Sequence, residues 1–250
     1  MQKTYLVGDV HGCIEELREL VQLLKPSSQD RLIFIGDLID RGPDSAAVVK
    51  QVVRWSKEME VKLVLGNHEE KFLRYLRHVD GGKGTEKEMK GIEEFPALHL
   101  SLSDAELEFL HEAYYSLHLP ELNALLVHGG LWGKLPFPMP ASYAFRGRES
   151  PEPRQLPLLT KVRFLNPAGK FVTLGEEGDE DKYWAETYDG SFGQVYFGHH
   201  PFLEPQPKRF EFATGIDTGC VYGGWLTAVV WSGGAPDFCS VAAKKKYVTK

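Results

Sequence analysis

Five short stretches of the chain combine carboxylate, imidazole or amide side chains with glycine. They are Gly8-Asp9-Val10-His11-Gly12, Gly36-Asp37-Leu38-Ile39-Asp40-Arg41-Gly42, Gly66-Asn67-His68-Glu69, Val127-His128-Gly129-Gly130 and Gly198-His199-His200. Each offers a hard oxygen or an imidazole nitrogen. Asp, Asn and His together suit manganese, iron or zinc rather than thiolate-selected metals. A site with about six such ligands can hold two cations, and a pair about 4 Å apart can activate water and clamp a phosphoryl group. Arg41 adds a fork that matches phosphate geometry. One Gly-Asp pair is ordinary turn chemistry. Five such stretches, two of them with D-x-H and D-x-x-D-R spacing, argue for one composed site. No Walker P-loop, G-x-S-x-G or H-E-x-x-H pattern offers a rival chemistry.

Each stretch follows a short apolar run. Thr4–Val7, 31–35 and 61–65 read as strands. Between them, Ile14, Leu17, Val21 and Leu24 recur at helical spacing, Pro43 opens a second helix continued by 46–55, and 69–79 reads as a third. Such alternation predicts a parallel sheet whose ligands gather beyond the carboxyl ends of its strands. Further strands are expected at 122–127 and Gln194–Phe197, leading into His128 and His199. A helix is expected at 104–115, with Ser103 or Asp104 as its cap. Strands at 209–216 and 225–231 flank a Gly-rich turn, and 235–241 is a third. Residues 80–100 are charged and Gly-rich and read as an insertion or lid, and 131–157 is Pro-rich and irregular. The whole is expected to be one domain over 1–242, followed by a basic, solvated tail at 243–250.

The composition excludes several classes. With 250 residues, 42% hydrophobic and 26% charged, the chain is globular rather than disordered. The net charge of −6 speaks against a protein that grips duplex nucleic acid. There is no run of about 18 apolar residues, so no membrane span is expected. The opening MQKTYLVGDVHG has no secretory pattern. Three cysteines, Cys13, Cys220 and Cys239, form no C-x-x-C and fit a reducing compartment, so a cytoplasmic location is expected. No base is apparent for a cysteine nucleophile, and nothing points to an obligate protein partner.

The motifs GDVHG, GDLIDRGPDS and GNHE, followed by VHGG and GHH, resemble the phosphoprotein-phosphatase branch of the calcineurin-like metallophosphoesterases. The resemblance runs from Tyr5 to about Trp231. The ending Gly215-Ile216-Asp217-Thr218-Gly219-Cys220-Val221-Tyr222-Gly223-Gly224 is most similar to bacterial diadenosine tetraphosphate hydrolases and to the phosphatase module of bacterial polynucleotide kinase-phosphatase. It implies an α/β protein, a four-layer α/β/β/α sandwich with two divalent metal ions at one end, manganese first among them and iron, zinc, cobalt or nickel as substitutes.

The resemblance assigns Asp9 and His11 to the first metal, Asp37 to both, and Asn67, His128 and His199 to the second. A hydroxide bridging the metals would be the nucleophile. His68 would act as general acid, oriented by Asp40, whose charge keeps it a proton donor near neutrality. Arg41 would bind phosphate. His200 stands where the family often has threonine; His199 is the better ligand by position, but either could coordinate. For a second phosphate-binding arginine, Arg163 in Thr160-Lys161-Val162-Arg163-Phe164 fits best, with Arg146 and Arg148 as competitors. Asp217 reads either as turn structure or as a carboxylate touching a metal-bound histidine. The expected activity is hydrolysis of phosphate esters or anhydrides, with a dinucleoside polyphosphate such as diadenosine tetraphosphate preferred. Rival substrates are phosphoserine or phosphothreonine proteins and, further off, nucleic-acid ends; a scaffold that binds phosphate without turnover is the rival outside enzymes. Arg41 and Arg163 would meet the phosphates. Phe137, Tyr143 and Phe145, or Tyr183 and Trp184, could offer walls for a base, although such aromatics more often build core.

Overall fold

The computed structural model describes residues 2–81, 90–145 and 153–248. Two sheets stack face to face. The first runs in the order Asp237–Ala242, Trp225–Trp231, Thr4–Val7, Arg31–Phe34, Glu60–Leu63. Its last three strands are parallel, with Leu6 opposite Ile33 and Ile33 opposite Lys62, and Trp225–Trp231 lies antiparallel to Thr4–Val7. The second runs Lys208–Arg209, Ala213–Gly215, Gln194–Phe197, Ala124–Val127, Tyr114–Leu119, Tyr143–Ala144. Ala213–Gly215, Gln194–Phe197 and Ala124–Val127 are mutually parallel. A small antiparallel sheet of Phe171–Val172, Phe164–Leu165 and Lys182–Tyr183 stands beside them.

Period-2 alternation explains the layers. Leu6, Ile33 and Val229 of the first sheet and Leu117, Leu126 and Tyr196 of the second make one apolar layer between the sheets. Their neighbours Tyr5, Val7, Leu32 and Phe34 face outward. They join the core that holds Leu17 and Leu20 of helix Ile14–Leu24 and Val48, Val49 and Val52 of helix Ser45–Ser56. On the other side, Phe197 meets Trp184, which opens the short helix Trp184–Thr187, at a ring distance of 5.0 Å. Strands covered on both faces read as continuous apolar runs, as these do. The four-layer α/β sandwich expected from the sequence is the fold observed.

Local signals set the helix ends. Asp44 caps Ser45–Ser56 by accepting the Ala47 N–H at 2.8 Å, so Pro43 lies just before the helix rather than inside it. The third helix, Asn67–Asp80, starts two residues earlier than expected and places Asn67 and His68 in its first turn. Glu106 accepts both the amide and the hydroxyl of Ser103, which makes Ser103 the cap of Asp104–His111.

Three expectations fail in detail. The helix expected over 104–115 ends at His111, and Tyr114–Leu119 is a strand paired with Ala124–Val127. Pairing with a buried strand overrides the helical spacing there. The expected strand 209–216 is a tight pair, Lys208–Arg209 against Ala213–Gly215, and the following Gly-rich turn crosses between the sheets. The basic tail is docked over 243–248: Ala243 donates to the Gly224 carbonyl, and Tyr247 and Val248 both donate to that of Val221. Within 80–100, residues 82–89 lie outside the described part, while Phe95–Ser101 is a helix whose buried Phe95 packs on Phe72 at 5.3 Å. Among the described residues, no helix is long and apolar enough to cross a membrane.

Candidate metal centre

All the predicted ligands converge where the parallel strands end. Asp9 and His11 follow Thr4–Val7, Asp37 follows Arg31–Phe34, and Asn67 follows Glu60–Leu63. His128 follows Ala124–Val127, and His199 follows Gln194–Phe197. The turns are bonded to one another: Val10 and His11 donate to the Asp37 carbonyl, and Gly198 donates to that of His128. Close approach explains two glycines. A Cβ on Gly66 would collide with the carboxylate and amide of Asp37, and one on Gly198 with the carboxylate of Asp9. The backbone is also strained here. Of eight non-glycine residues with positive φ among those described, five are His11, Asp37, Asp40, Arg41 and His199.

Asp37 is the hub. Its Oδ2 lies 3.5 Å from His11 Nε2 and 3.2 Å from His128 Nε2, and its Oδ1 accepts the His68 N–H at 3.1 Å. Backbone carbonyls orient both imidazoles: His11 Nδ1–H donates to Ile39 at 3.0 Å and His128 Nδ1–H to Ile35 at 2.8 Å. Each therefore turns Nε2 inward, as carbonyl-bonded ligand histidines do. Asn67 Oδ1 is 3.2 Å from His128 Nε2. Asp37 belongs to two groups whose donor atoms lie within 4.8 Å of one another, one with His11 and His68, the other with His128 and His199. Asp9 is in neither group but lies beside His199. Its Oδ2 accepts the His199 N–H at 2.9 Å, while Oδ1 is buried with no partner.

Burial dominates the protonation of these donors. Burial lowers the His11 imidazole to about 3, against the pull of Asp37, so it is a neutral donor. Burial, with Arg163 next, also takes His199 well below its ordinary value. Burial and the neighbouring Asp217 push the Asp9 carboxyl well up. Burial alone would lower His128, but Asp37 and Asp9 raise it to about 9. There, Asp37 Oδ2 and Asn67 Oδ1 both face His128 Nε2, and only a proton or a cation satisfies all three. The orphaned Asp9 Oδ1 makes the same demand. Carboxylate, amide and imidazole donors of this kind fit divalent cations.

Other predicted residues ring the centre. His68 Nδ1 is 2.6 Å from Asp40 Oδ2, and its Nε2 is 3.9 Å from Asp37 Oδ2. Arg41 Nη1 is 3.2 Å from His11 Nε2, and its guanidinium lies 5.9 Å from the centre of the Tyr222 ring. Arg163 Nη2 donates to the His199 carbonyl at 2.9 Å. Asp217 is buried and accepts the Gly219 N–H at 2.9 Å; burial lifts it to about 6. Arg146 and Arg148 lie outside the described residues.

The aromatics divide between their two expected roles, and Glu69 has a role the sequence did not assign. Phe145 is buried against Tyr115 and His111, Phe137 is buried between Trp132 and Tyr143, and Tyr143 donates its hydroxyl to Pro138. Tyr183 and Trp184 are likewise buried among rings. Phe137, Phe145, Tyr183 and Trp184 thus build core, the commoner of the two expected roles, while Tyr143 is half-buried. Glu69, quoted in GNHE without a role, is fully buried. Oε2 accepts Asp37 N–H at 2.8 Å and Gly66 N–H at 3.1 Å; Oε1 accepts Leu38 and Ile39 N–H at 2.8 and 3.2 Å. A charged residue in the first turn after two ligand-type residues was the available signal.

The chain matches the calcineurin-like phosphoesterase family over residues 3–224. It is 32% identical to the bis(5'-nucleosyl)-tetraphosphatase PrpE (asymmetrical) of Oceanobacillus iheyensis, covering 99% of this chain and 95% of that protein. Against the protein of the same name from Bacillus subtilis, identity is 30%, covering 89% and 88%. A solved structure provisionally assigned as a diadenosine tetraphosphatase superposes with a TM-score of 0.71 at 26% identity, covering 97% of this chain and 94% of that one. A cold-active protein-tyrosine phosphatase from Shewanella shares the fold, with a TM-score of 0.59 at 14% identity, covering 98% and 81%. The family match includes every ligand-bearing turn, and the chain belongs to the calcineurin-like phosphoesterases.

Proposed function

We propose that the chain hydrolyses dinucleoside tetraphosphates asymmetrically, releasing a nucleoside triphosphate and a nucleoside monophosphate. The observation that carries the chemistry is the placement of Asp37 Oδ2 between the inward nitrogens of His11 and His128. The substrate is supported by the end-to-end match to PrpE of Oceanobacillus iheyensis.

In this reading Asp9, His11 and Asp37 would hold one cation, and Asp37, Asn67, His128 and His199 would hold the other. Two divalent cations, manganese first for carboxylate, amide and imidazole donors, supply Lewis-acid activation of water and neutralise phosphate charge when bound. Arg41 and Arg163 grip the non-bridging oxygens of the phosphoryl group. Asp40 takes the Nδ1–H of His68 and so turns Nε2 toward the leaving oxygen, to which it delivers a proton. Asp217 stiffens the turn beside Asp9. Three free cysteines suit a reducing cytoplasm.

Competition between diadenosine tetraphosphate and a phosphopeptide tests the substrate. The nucleotide is expected to win by at least about tenfold in kcat/KM, on the order of 1.4 kcal/mol of transition-state preference. Equal or faster turnover of the phosphopeptide would give the assignment to a protein phosphatase.

A further inference from the structure

Cys13 follows His11 by two residues, and Cys220 follows Asp217 by three, yet neither takes part in the chemistry above. Both are buried. Their Sγ atoms and a carboxylate oxygen of Glu16 lie within 4.8 Å of one another. Glu16, on the first turn of helix Ile14–Leu24, is 0% exposed. Its Oε1 accepts the Lys244 N–H at 2.7 Å and the Tyr247 hydroxyl at 2.9 Å, while Oε2 has no hydrogen-bond partner. An unpartnered buried carboxylate oxygen is costly, and thiols are weak donors to relieve it.

We propose that Cys13, Cys220 and Glu16 form a second metal site, structural in role and suited to zinc. Two thiolates and a carboxylate are a zinc donor set, with the fourth tetrahedral position left to water. The donors differ in kind from the oxygen and imidazole ligands of Asp9, His11, Asp37, Asn67, His128 and His199, so the two sites sort different metals. On binding, zinc replaces the two thiol protons, which pass to solvent, and Glu16 enters as carboxylate; no oxidant or reductant takes part. The ion ties helix Ile14–Leu24 to the turn that carries Asp217. The docked 243–248 segment covers it, held by Glu16, Val221 and Gly224. A disulfide between the same cysteines explains less: it leaves Oε2 unpartnered and needs an oxidant to reach buried thiols.

Cobalt is the probe. The full, reduced chain, stripped with chelator and titrated with Co2+, is expected to develop thiolate-to-cobalt charge-transfer absorption in the near ultraviolet. Cys13→Ser and Cys220→Ser should each lose most of that band. Cys239→Ser should keep it, as should Asp37→Asn, which disables the other centre. For variants that fail to fold, X-ray absorption on the zinc-loaded wild type reads the same ligands and should show sulfur neighbours at about 2.3 Å. A wild type without the band, a band that persists in Cys220→Ser, or a zinc shell of nitrogen and oxygen alone would each overturn the proposal.

Discussion

His68 Nδ1 lies 2.6 Å from Asp40 Oδ2, and the opposite nitrogen, Nε2, is buried without a hydrogen-bond partner. Burial alone would raise the Asp40 carboxyl, but its bond with His68 prevails and holds it below its ordinary value. The pair is thus a carboxylate holding an imidazole with one nitrogen free to act. His68→Ala is expected to keep its metals and lose about 10²–10⁴-fold in kcat. The loss should shrink for aryl phosphates, whose leaving groups need little protonation. Asp40→Asn removes the acceptor that orients the ring, and it is expected to lower kcat with the metals retained. Metal loss in His68→Ala would mark His68 as a ligand instead, consistent with its grouping beside His11 and Asp37.

Glu69 accepts four backbone N–H groups from the turns at Gly66 and Asp37–Ile39. Glu69→Ala leaves those buried donors bare, at about 1–3 kcal/mol each. We expect a loss of several kcal/mol in urea unfolding and weakened metal retention. Wild-type stability in that variant would show that water replaces the carboxylate at little cost.

The two arginines should separate. On the proposed reading, Arg41→Ala removes a charged phosphate contact worth about 1.5–3 kcal/mol, or about 10–160-fold in kcat/KM, with metal content unchanged. Arg163→Ala also releases the His199 carbonyl. It is expected to lose metal on dialysis as well as activity. Identical metal content in both variants would separate Arg163 from the positioning of His199.

Away from the centre, Asp30 accepts the N–H groups of Lys3 and Ser27 and the Ser27 hydroxyl, all at 2.8 Å. Burial would raise its carboxyl, but these bonds hold it below its ordinary 3.8. A depressed carboxyl stabilises the fold above the unfolded-state value and loses that stability as pH falls through the folded-state value. Asp30→Asn should therefore be less stable than wild type at neutral pH, and the gap should close toward low pH. A gap that stays constant with pH would assign the loss to shape rather than charge.

The ligand turns were legible because each places its residues directly after an apolar run, and parallel strands deliver such ends to one edge. Asp9, His11, Asp37, Asn67, His128 and His199 all arrive there by that rule. The strand Tyr114–Leu119 was not legible, since its spacing also fits the end of a helix and only pairing with Ala124–Val127 decides. The docking of 243–248 was hidden for a related reason: its partners Glu16, Val221 and Gly224 are distant in sequence, and lysines signal solvent when read locally. Phe145 and Tyr183 stayed open between core and base wall because an aromatic in an irregular segment carries no mark of which face it covers. Asp44 and Ser103, by contrast, announce their helices through local hydrogen bonding alone.

Product analysis tests the central claim most directly. The manganese-loaded chain is incubated with diadenosine tetraphosphate, and the nucleotides are separated early in the reaction. Asymmetrical hydrolysis by this centre predicts ATP and AMP in equal amounts, with Asp37→Ala producing neither. ADP as the sole product, or an unchanged rate in Asp37→Ala, would contradict the account.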